Sequence, residues 1–239
     1  MSVPSSSKIT RSLRAELDKL VTLPFTWLTL IATFILNLLL SAAFTSVGLQ
    51  GQGAAGTRTQ NLLNIGLASI GYLQAGFIIL GISAACSEYT GGQIRTTLTT
   101  LPWRGLQLSM KYLALAIITI PAAFMITSSG ILYTFMMMRD TAAGFEVDAM
   151  IAALIGATGY LTLTTLLSAA IGTILRRTSP ALVVLLGYYF VVSPLARNYL
   201  PGFKHYLPDP AGNDVTGTLM LWTLIFITAA IVFYRRRDA

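Results

Sequence analysis

Few residues of this 239-residue chain have side chains that could do chemistry, and they stand apart from one another. His205 is the only histidine and Cys86 is the only cysteine. A metal site needs several His, Cys, Asp or Glu side chains at ligand spacing, and a lone histidine has no such neighbours. We therefore interpret His205 as a solvated loop residue, and the single cysteine excludes a disulfide scaffold.

The sequence also lacks the short motifs of membrane enzymes and of ATPases. It contains no His-Glu-x-x-His, no Gly-x-Ser-x-Gly and no Gly-x-x-x-x-Gly-Lys-Ser/Thr segment. The first motif holds a zinc ion, the second presents a nucleophilic serine and the third binds nucleotide phosphates. We expect no catalytic centre and no metal site in this chain, so active transport would have to draw its energy from a partner.

The composition is that of a membrane protein. Apolar residues make up 54% of the chain and charged residues 10%, whereas a soluble domain carries about 25% charged residues. Six long stretches contain no Asp, Glu, Lys or Arg, and a membrane span needs about 20 such residues. The predicted spans are 23–44, 62–85, 112–138, 150–175, 179–196 and 216–234. We predict an all-α integral membrane protein with six spans in a single domain over residues 1–239, because membrane strands would alternate in polarity.

The distribution of positive charge predicts how the spans are oriented. With six spans, 12 Lys and Arg residues fall on one side of the membrane and 4 on the other. Including Asp and Glu gives +8 on the first side and −1 on the second. The positive-inside rule therefore predicts that both termini are cytoplasmic. The net charge of +7 is a topology signal rather than the footprint of a nucleic-acid-binding protein.

The interiors of the predicted spans hold almost no group that could carry an ion or a proton. Such sites usually place Asp, Glu, His or Arg inside the membrane, and none stands there. A proton-driven carrier is therefore disfavoured. Asn37 in the first span and Asn64 and Gln74 in the second are the main polar groups. They either pack helices together or, with Phe77, line a substrate path, in which case Asn37 and Gln74 would face one cavity.

Residues 5–20 have the periodicity of an amphipathic helix. At roughly 100° per residue, apolar and charged side chains separate onto two faces: Ile9, Leu13, Leu17 and Leu20 against Lys8, Arg11, Arg14, Asp18 and Lys19. This pattern predicts an interfacial helix that buries its leucines and turns its cations toward lipid headgroups or a partner. Glu16 falls inside the apolar stripe, which indicates either a specific cation partner or a position at the edge of a shallow helix.

The sharpest signal lies between the second and third predicted spans, at residues 87–111. Gly91-Gly92 would interrupt the span helix, and Pro102 would end the short helix that follows. One face of that short helix carries Ile94, Leu98 and Leu101. A purely structural turn could be much shorter, so an ordered helix at 91–101 indicates a contact surface.

These residues resemble a known family. The run from Glu88 through Arg95, Leu101-Pro102, Arg104 and Lys111 resembles the acidic-then-basic segment of bacterial ABC type-2 permeases, the membrane subunits of a class of ABC exporters. The resemblance extends over nearly the whole chain, because the amphipathic amino-terminal helix, the six spans, the cytoplasmic termini and an enlarged outer segment before the sixth span all match the family's organisation.

The resemblance implies a division of labour between subunits. It implies a coupling helix docked on an ATPase, two ATPase subunits that bind ATP and Mg, and a second permease copy or homologue, all at the bacterial cell membrane. The ATPase-coupling residues would be Glu88, Gly91, Gly92, Arg95, Thr96, Leu98, Leu101, Pro102, Arg104 and Lys111. Arg11, Leu13, Glu16 and Leu17 would belong to the interfacial helix. Arg95, Arg104 and Lys111 have a second interpretation as ordinary topology anchors.

The resemblance also leaves alternatives open. Residues 194–215 would form short re-entrant helices on the outer side, or else an interfacial loop anchored by its tyrosines. The cargo would be an apolar or amphiphilic molecule such as an antibiotic, a peptide, a drug or a lipid. The alternative from another class is a membrane scaffold or sensor that moves no solute and recruits a cytoplasmic partner.

Overall fold

The structure is a computed structural model that describes residues 6–50, 65–90, 104–137, 147–199 and 215–237. Throughout these ranges the chain is helical apart from short turns, and they contain no β-strand. The prediction of an all-helical fold is therefore confirmed for the described residues. The eight helices among them are α1 (Ser6–Thr22), α2 (Pro24–Gln50), α3 (Ile70–Thr90), α4 (Arg104–Met137), α5 (Val147–Leu175), α6 (Thr178–Gly187), α7 (Ser193–Tyr199) and α8 (Val215–Arg237).

Five helical segments are long and apolar enough to cross a membrane. They are Pro24–Gly48, Ile65–Ser87, Leu106–Met137, Val147–Leu175 and Thr178–Ala196. A shorter apolar helix, Gly217–Phe233, falls where the sixth span is predicted. These segments indicate a multi-pass membrane protein, whereas the count of six spans stays a prediction.

The boundary between α1 and α2 is a single residue. Leu23 is the single non-helical residue between them, and its backbone N–H still donates to the carbonyl of Lys19 at 3.2 Å. Pro24 opens α2, a position where its missing N–H costs nothing and where its ring disfavours helical geometry in the preceding residue. The proline thus separates the amphipathic helix from the first span.

Helix α5 is the centre of the bundle, since it packs against α3, α4, α6 and α8. Its contact with α3 is the most extensive in the described structure. A methyl group on Gly81 of α3 would overlap the Thr165 carbonyl and the Ser168 hydroxyl, and one on Gly172 of α5 would lie 3.3 Å from Ala85. The small residues therefore let the two backbones approach closely, as in other membrane helix pairs.

The segment after α6 departs from α-helical geometry. Tyr188–Val192 forms one π-helical turn, in which the N–H of Ser193 bonds the carbonyl of Tyr188. Pro194 follows directly, and a proline displaces the carbonyl four residues before it, which is that of Phe190. The widened turn accommodates this displacement and lets the apolar run continue to Ala196.

Candidate functional site

Most of the predicted ATPase-coupling segment lies outside the described residues. This holds for Gly91, Gly92, Arg95, Thr96, Leu98, Leu101 and Pro102. The backbones that flank it are described, because α3 ends at Thr90 and α4 begins at Arg104. The side chains of Glu88 and Arg104 are likewise outside the description. The docking role of the segment therefore stays a prediction, and the geometry concerns the helices on either side of it.

Several helix ends meet on the side of the bundle where this segment begins and ends. They include the ends of α1, α3, α5 and α8 and the starts of α2, α4 and α6. We call this side the basic end, since Lys19, Lys111, Arg176 and Arg177 belong to it. Leu20 of α1, Ala85 of α3, Leu108 and Leu115 of α4 and Ala170 of α5 form one buried cluster there.

Two charged side chains are buried in the described part of the chain, and they belong to two helices that pack on each other, α1 and α4. Lys111 of α4 is 4% exposed and Glu16 of α1 is 9% exposed. Leu13 and Leu17, on the same face of α1 as Glu16, pack against the cluster at the basic end, whereas Arg11 is exposed. The burial of Glu16 therefore disfavours the interpretation that this residue lies at the edge of a shallow interfacial helix. Burying a charge costs several kcal/mol unless it is compensated, and these two packed helices carry buried charges of opposite sign.

Polar contacts tie the other helix ends together. The Tyr112 hydroxyl of α4 donates to Thr173 Oγ1 of α5 at 3.2 Å. The Cys86 thiol of α3 donates to the Gly172 carbonyl of α5 at 3.5 Å and is hydrogen-bonded to the Thr178 side chain at the start of α6. Because these bonds link α3 and α4 to α5 and α6, a displacement of the segment between α3 and α4 would be passed to both of them.

The substrate-path candidate Asn37 lies in a saturated hydrogen-bond network. It is 1% exposed, and its amide nitrogen donates to the Ile126 carbonyl at 2.7 Å and to Ser129 Oγ at 3.1 Å. Ser69 Oγ donates to its amide oxygen at 2.9 Å. The side chain thereby joins α2, α4 and the residues just before α3. This geometry favours the packing interpretation of Asn37.

The other candidates are also buried within the bundle. Gln74 accepts a hydrogen bond from the Tyr160 hydroxyl across the α3–α5 contact at 2.5 Å. Phe77 is 1% exposed and packs in a cluster that contains Leu161 and Tyr160. Asn64 lies outside the described residues. The structure thus places Asn37 and Gln74 in two different helix contacts.

A polar stripe along α2 was missed by the sequence analysis, which singled out Asn37 alone. Hydroxyl and amide residues recur every three or four positions on one face, and all are buried: Thr26, Thr29, Thr33, Asn37, Ser41 and Thr45. The opposite face is apolar and exposed, with Leu28, Ile35 and Leu39 among its residues. The spacing of the polar residues was the available signal, because it matches the helical period.

Two glycines on the neighbouring helices α3 and α4 let the polar stripe of α2 pack closely against them. A methyl group on Gly76 of α3 would overlap Thr33, and one on Gly130 of α4 would lie 3.0 Å from Ser41 Oγ and 3.1 Å from the Asn37 amide. Thr33 donates to the Thr29 carbonyl of its own helix at 2.7 Å. Thr29 bonds its own helix in the same way, through the Phe25 carbonyl at 2.8 Å, so these two hydroxyls can be buried at little cost.

Comparison with known proteins does not supply a family. No family model matches the chain, and a search of curated proteins finds no match. The resemblance to type-2 permeases rests on the residues of this sequence, and the function has to be argued from them and from the geometry of the basic end.

Proposed function

We propose that this chain is the membrane permease subunit of an ATP-driven ABC exporter of the type-2 class. In this proposal it has six spans and cytoplasmic termini, pairs with a second permease, and binds two separate ATPase subunits that hold ATP and Mg. Its cargo is an apolar or amphiphilic molecule. The predicted spans carry no ionisable residue that could select a small ion or relay protons, which supports this class of cargo.

The observation that carries the proposal is the burial of Lys111 near the start of α4, the helix that follows the predicted coupling segment. A topology anchor would hold its charge in water or among headgroups, whereas Lys111 is enclosed by protein. Helix α4 packs on α1, which carries the other buried charge, Glu16. In this proposal, force applied between α3 and α4 reaches α1 through this packing and, through Pro24, the first span.

The polar contacts at the basic end support the same path on the other side. Cys86 and Tyr112 connect α3 and α4 to α5 and α6 through Gly172, Thr178 and Thr173. An ATPase that pushes on one segment could therefore shift several spans together. Such coupling needs a two-state element that both sites bias, and the helix ends that meet at the basic end provide a mechanical candidate for it.

The decisive experiment is purification of the tagged full chain from its own cells in mild detergent, followed by mass spectrometry and an ATP hydrolysis assay. We expect two copies of a P-loop ATPase for each pair of permeases, and hydrolysis that requires them. A stoichiometric kinase or regulator with no ATPase would contradict the proposal and favour a membrane scaffold or sensor.

Variants in the predicted coupling segment then test the assigned residues. Arg95→Ala and Glu88→Gln should each reduce transport-coupled ATP hydrolysis while the protein still inserts and assembles. Arg139→Ala removes a cation from a predicted outer loop and serves as the matched control, with hydrolysis unchanged. Full coupling in both test variants would remove the docking role from this segment.

A further inference from the structure

A groove opens on the side of the bundle at the basic end. It encloses about 270 Å³ between the start of α2, the end of α3 and the start of α6. Its lining includes Thr26 of α2, Leu80, Ser83 and Ser87 of α3, and Thr178 of α6. The stretch from Leu80 to Ser87 rises about 10 Å along the helix axis, so the groove covers about a third of a ~30 Å hydrocarbon core.

The groove suits hydrocarbon rather than a polar solute. Its floor includes the buried side chains Leu80 and Ala84. Ser83 Oγ donates to the Ile79 carbonyl at 2.6 Å and Ser87 Oγ to the Ala84 carbonyl at 3.2 Å, so their own helix satisfies both hydroxyls. Small-molecule pockets usually enclose about 300–1,000 Å³, so this smaller space fits one slender group.

The depth of the groove matches the boundary between headgroups and acyl chains. Trp27 stands beside the groove residues Phe25 and Thr26, is exposed to the surroundings, and donates its indole N–H to the Val21 carbonyl at 2.8 Å. Tryptophans in this setting mark the membrane interface, where the ring is in contact with lipid and the N–H finds a polar partner. The groove therefore begins at headgroup level and extends toward the acyl chains.

Two arginines adjoin the groove at that level. Arg177 directly precedes the lining residue Thr178, and its side chain is exposed. Arg176 has a left-handed backbone (φ 54°) and donates its N–H to the Gly172 carbonyl at 2.8 Å, which fixes the short turn that carries both guanidinium groups. Positive charge therefore lies next to one edge of the groove.

We propose that this groove binds one acyl chain of an anionic membrane phospholipid, whose phosphate pairs with Arg177. The apolar floor and the limited volume select a single chain, and the cations at the mouth complement the negative headgroup. Bound there, the lipid would join the start of α2 to the ends of α3 and α6. The inference is independent of the proposed function, since an exporter and a scaffold could both carry such a site.

Native mass spectrometry of the full chain tests this site. The purified protein is equilibrated with phosphatidylglycerol or with phosphatidylcholine of identical acyl chains, and the retained lipids are counted. We expect one retained phosphatidylglycerol per chain, in clear preference to phosphatidylcholine. Arg177→Gln should weaken that retention about fivefold. Arg14→Gln, which removes an exposed cation of α1, should leave retention unchanged.

A second variant separates the chain site from general charge attraction. Ser83→Trp fills the groove and should abolish retention while Arg177 is intact, with thermal unfolding used to verify the fold. Ala152→Trp, on an exposed part of α5, is the matched control. Equal retention of the two lipids, wild-type retention in both Arg177→Gln and Ser83→Trp, or full displacement of the lipid by inorganic phosphate would each overturn the proposal. Loss of lipid in Arg177→Gln alone, with Ser83→Trp unaffected, would overturn the groove as the location.

Discussion

The Asn37 network and the basic end both join several helices, but they do so by different chemistry. Around Asn37, three uncharged groups meet the amide at 2.7–3.1 Å and link α2 to α4 and to Ser69. At the basic end, the packed helices α1 and α4 each carry one buried charge, Glu16 and Lys111. Uncharged hydrogen bonds in membrane proteins are weak, whereas a buried charge is costly to leave uncompensated. In the proposed function, the Asn37 network stabilises the helix bundle, while the basic end transmits motion from the predicted coupling segment.

The largest expected effect comes from breaking the charge balance at the basic end. Lys111→Met should lower the free energy of unfolding by about 3 kcal/mol or more, because Glu16 would remain buried without that opposite charge. Denaturant titration of the protein in micelles measures the loss. Arg14→Met, at an exposed position on α1, should cost no more than about 0.5 kcal/mol.

The double variant Glu16→Gln/Lys111→Met sharpens the same test. We expect it to be more stable than Lys111→Met alone, since the remaining charge is removed with its partner. Equal stability of the double variant and of Lys111→Met would mean that the two buried charges are not energetically linked. That result would contradict the role assigned to buried charge at the basic end.

A smaller effect is expected in the Asn37 network. Asn37→Ala should lower the free energy of unfolding by about 1–2 kcal/mol, because three interhelical contacts are lost at one position. A double-mutant cycle with Ser69→Ala should give a coupling of about 0.6 kcal/mol. No change of stability in Asn37→Ala would contradict the packing interpretation and return Asn37 to the list of substrate-path candidates.

The smallest effect should have the opposite sign. Ser41 is 1% exposed, and its hydroxyl has no hydrogen-bond partner in the described structure. Replacing an unsatisfied buried hydroxyl by an apolar group of similar shape is neutral or stabilising. Ser41→Ala should therefore unfold at the same or a slightly higher denaturant concentration. A clear loss of stability would reveal a polar partner of Ser41, such as a bound water.

The sequence predicted the features that depend on composition along one segment. Uninterrupted apolar runs located the five segments that could span a membrane, and the fifth begins at Thr178, one residue before its predicted start. The leucine stripe of α1 anticipated which face Leu13 and Leu17 would bury. These features are local, because hydrophobicity and helical period act within a single element.

Features that depend on two elements could not be predicted in this way. Lys111 was open to interpretation as an ordinary anchor, and its burial follows only from the way other helices pack around α4. The pairing of Gly76 with Thr33 and of Gly130 with Asn37 requires knowledge of which helix faces meet. The polar stripe of α2 is an intermediate case. Its helical spacing is visible in the sequence, but hydroxyls can bond the carbonyls of their own helix, so their presence in an apolar span does not by itself indicate a contact with another helix.

The central claim is that the chain provides a route through the membrane and takes its energy from a separate ATPase. It is tested most directly in proteoliposomes that contain this chain with or without the co-purified ATPase, by following uptake of a fluorescent amphiphile that the complex moves. We predict ATP-dependent accumulation against a gradient with the ATPase and none without it. Sustained uphill movement by the chain alone would contradict the account.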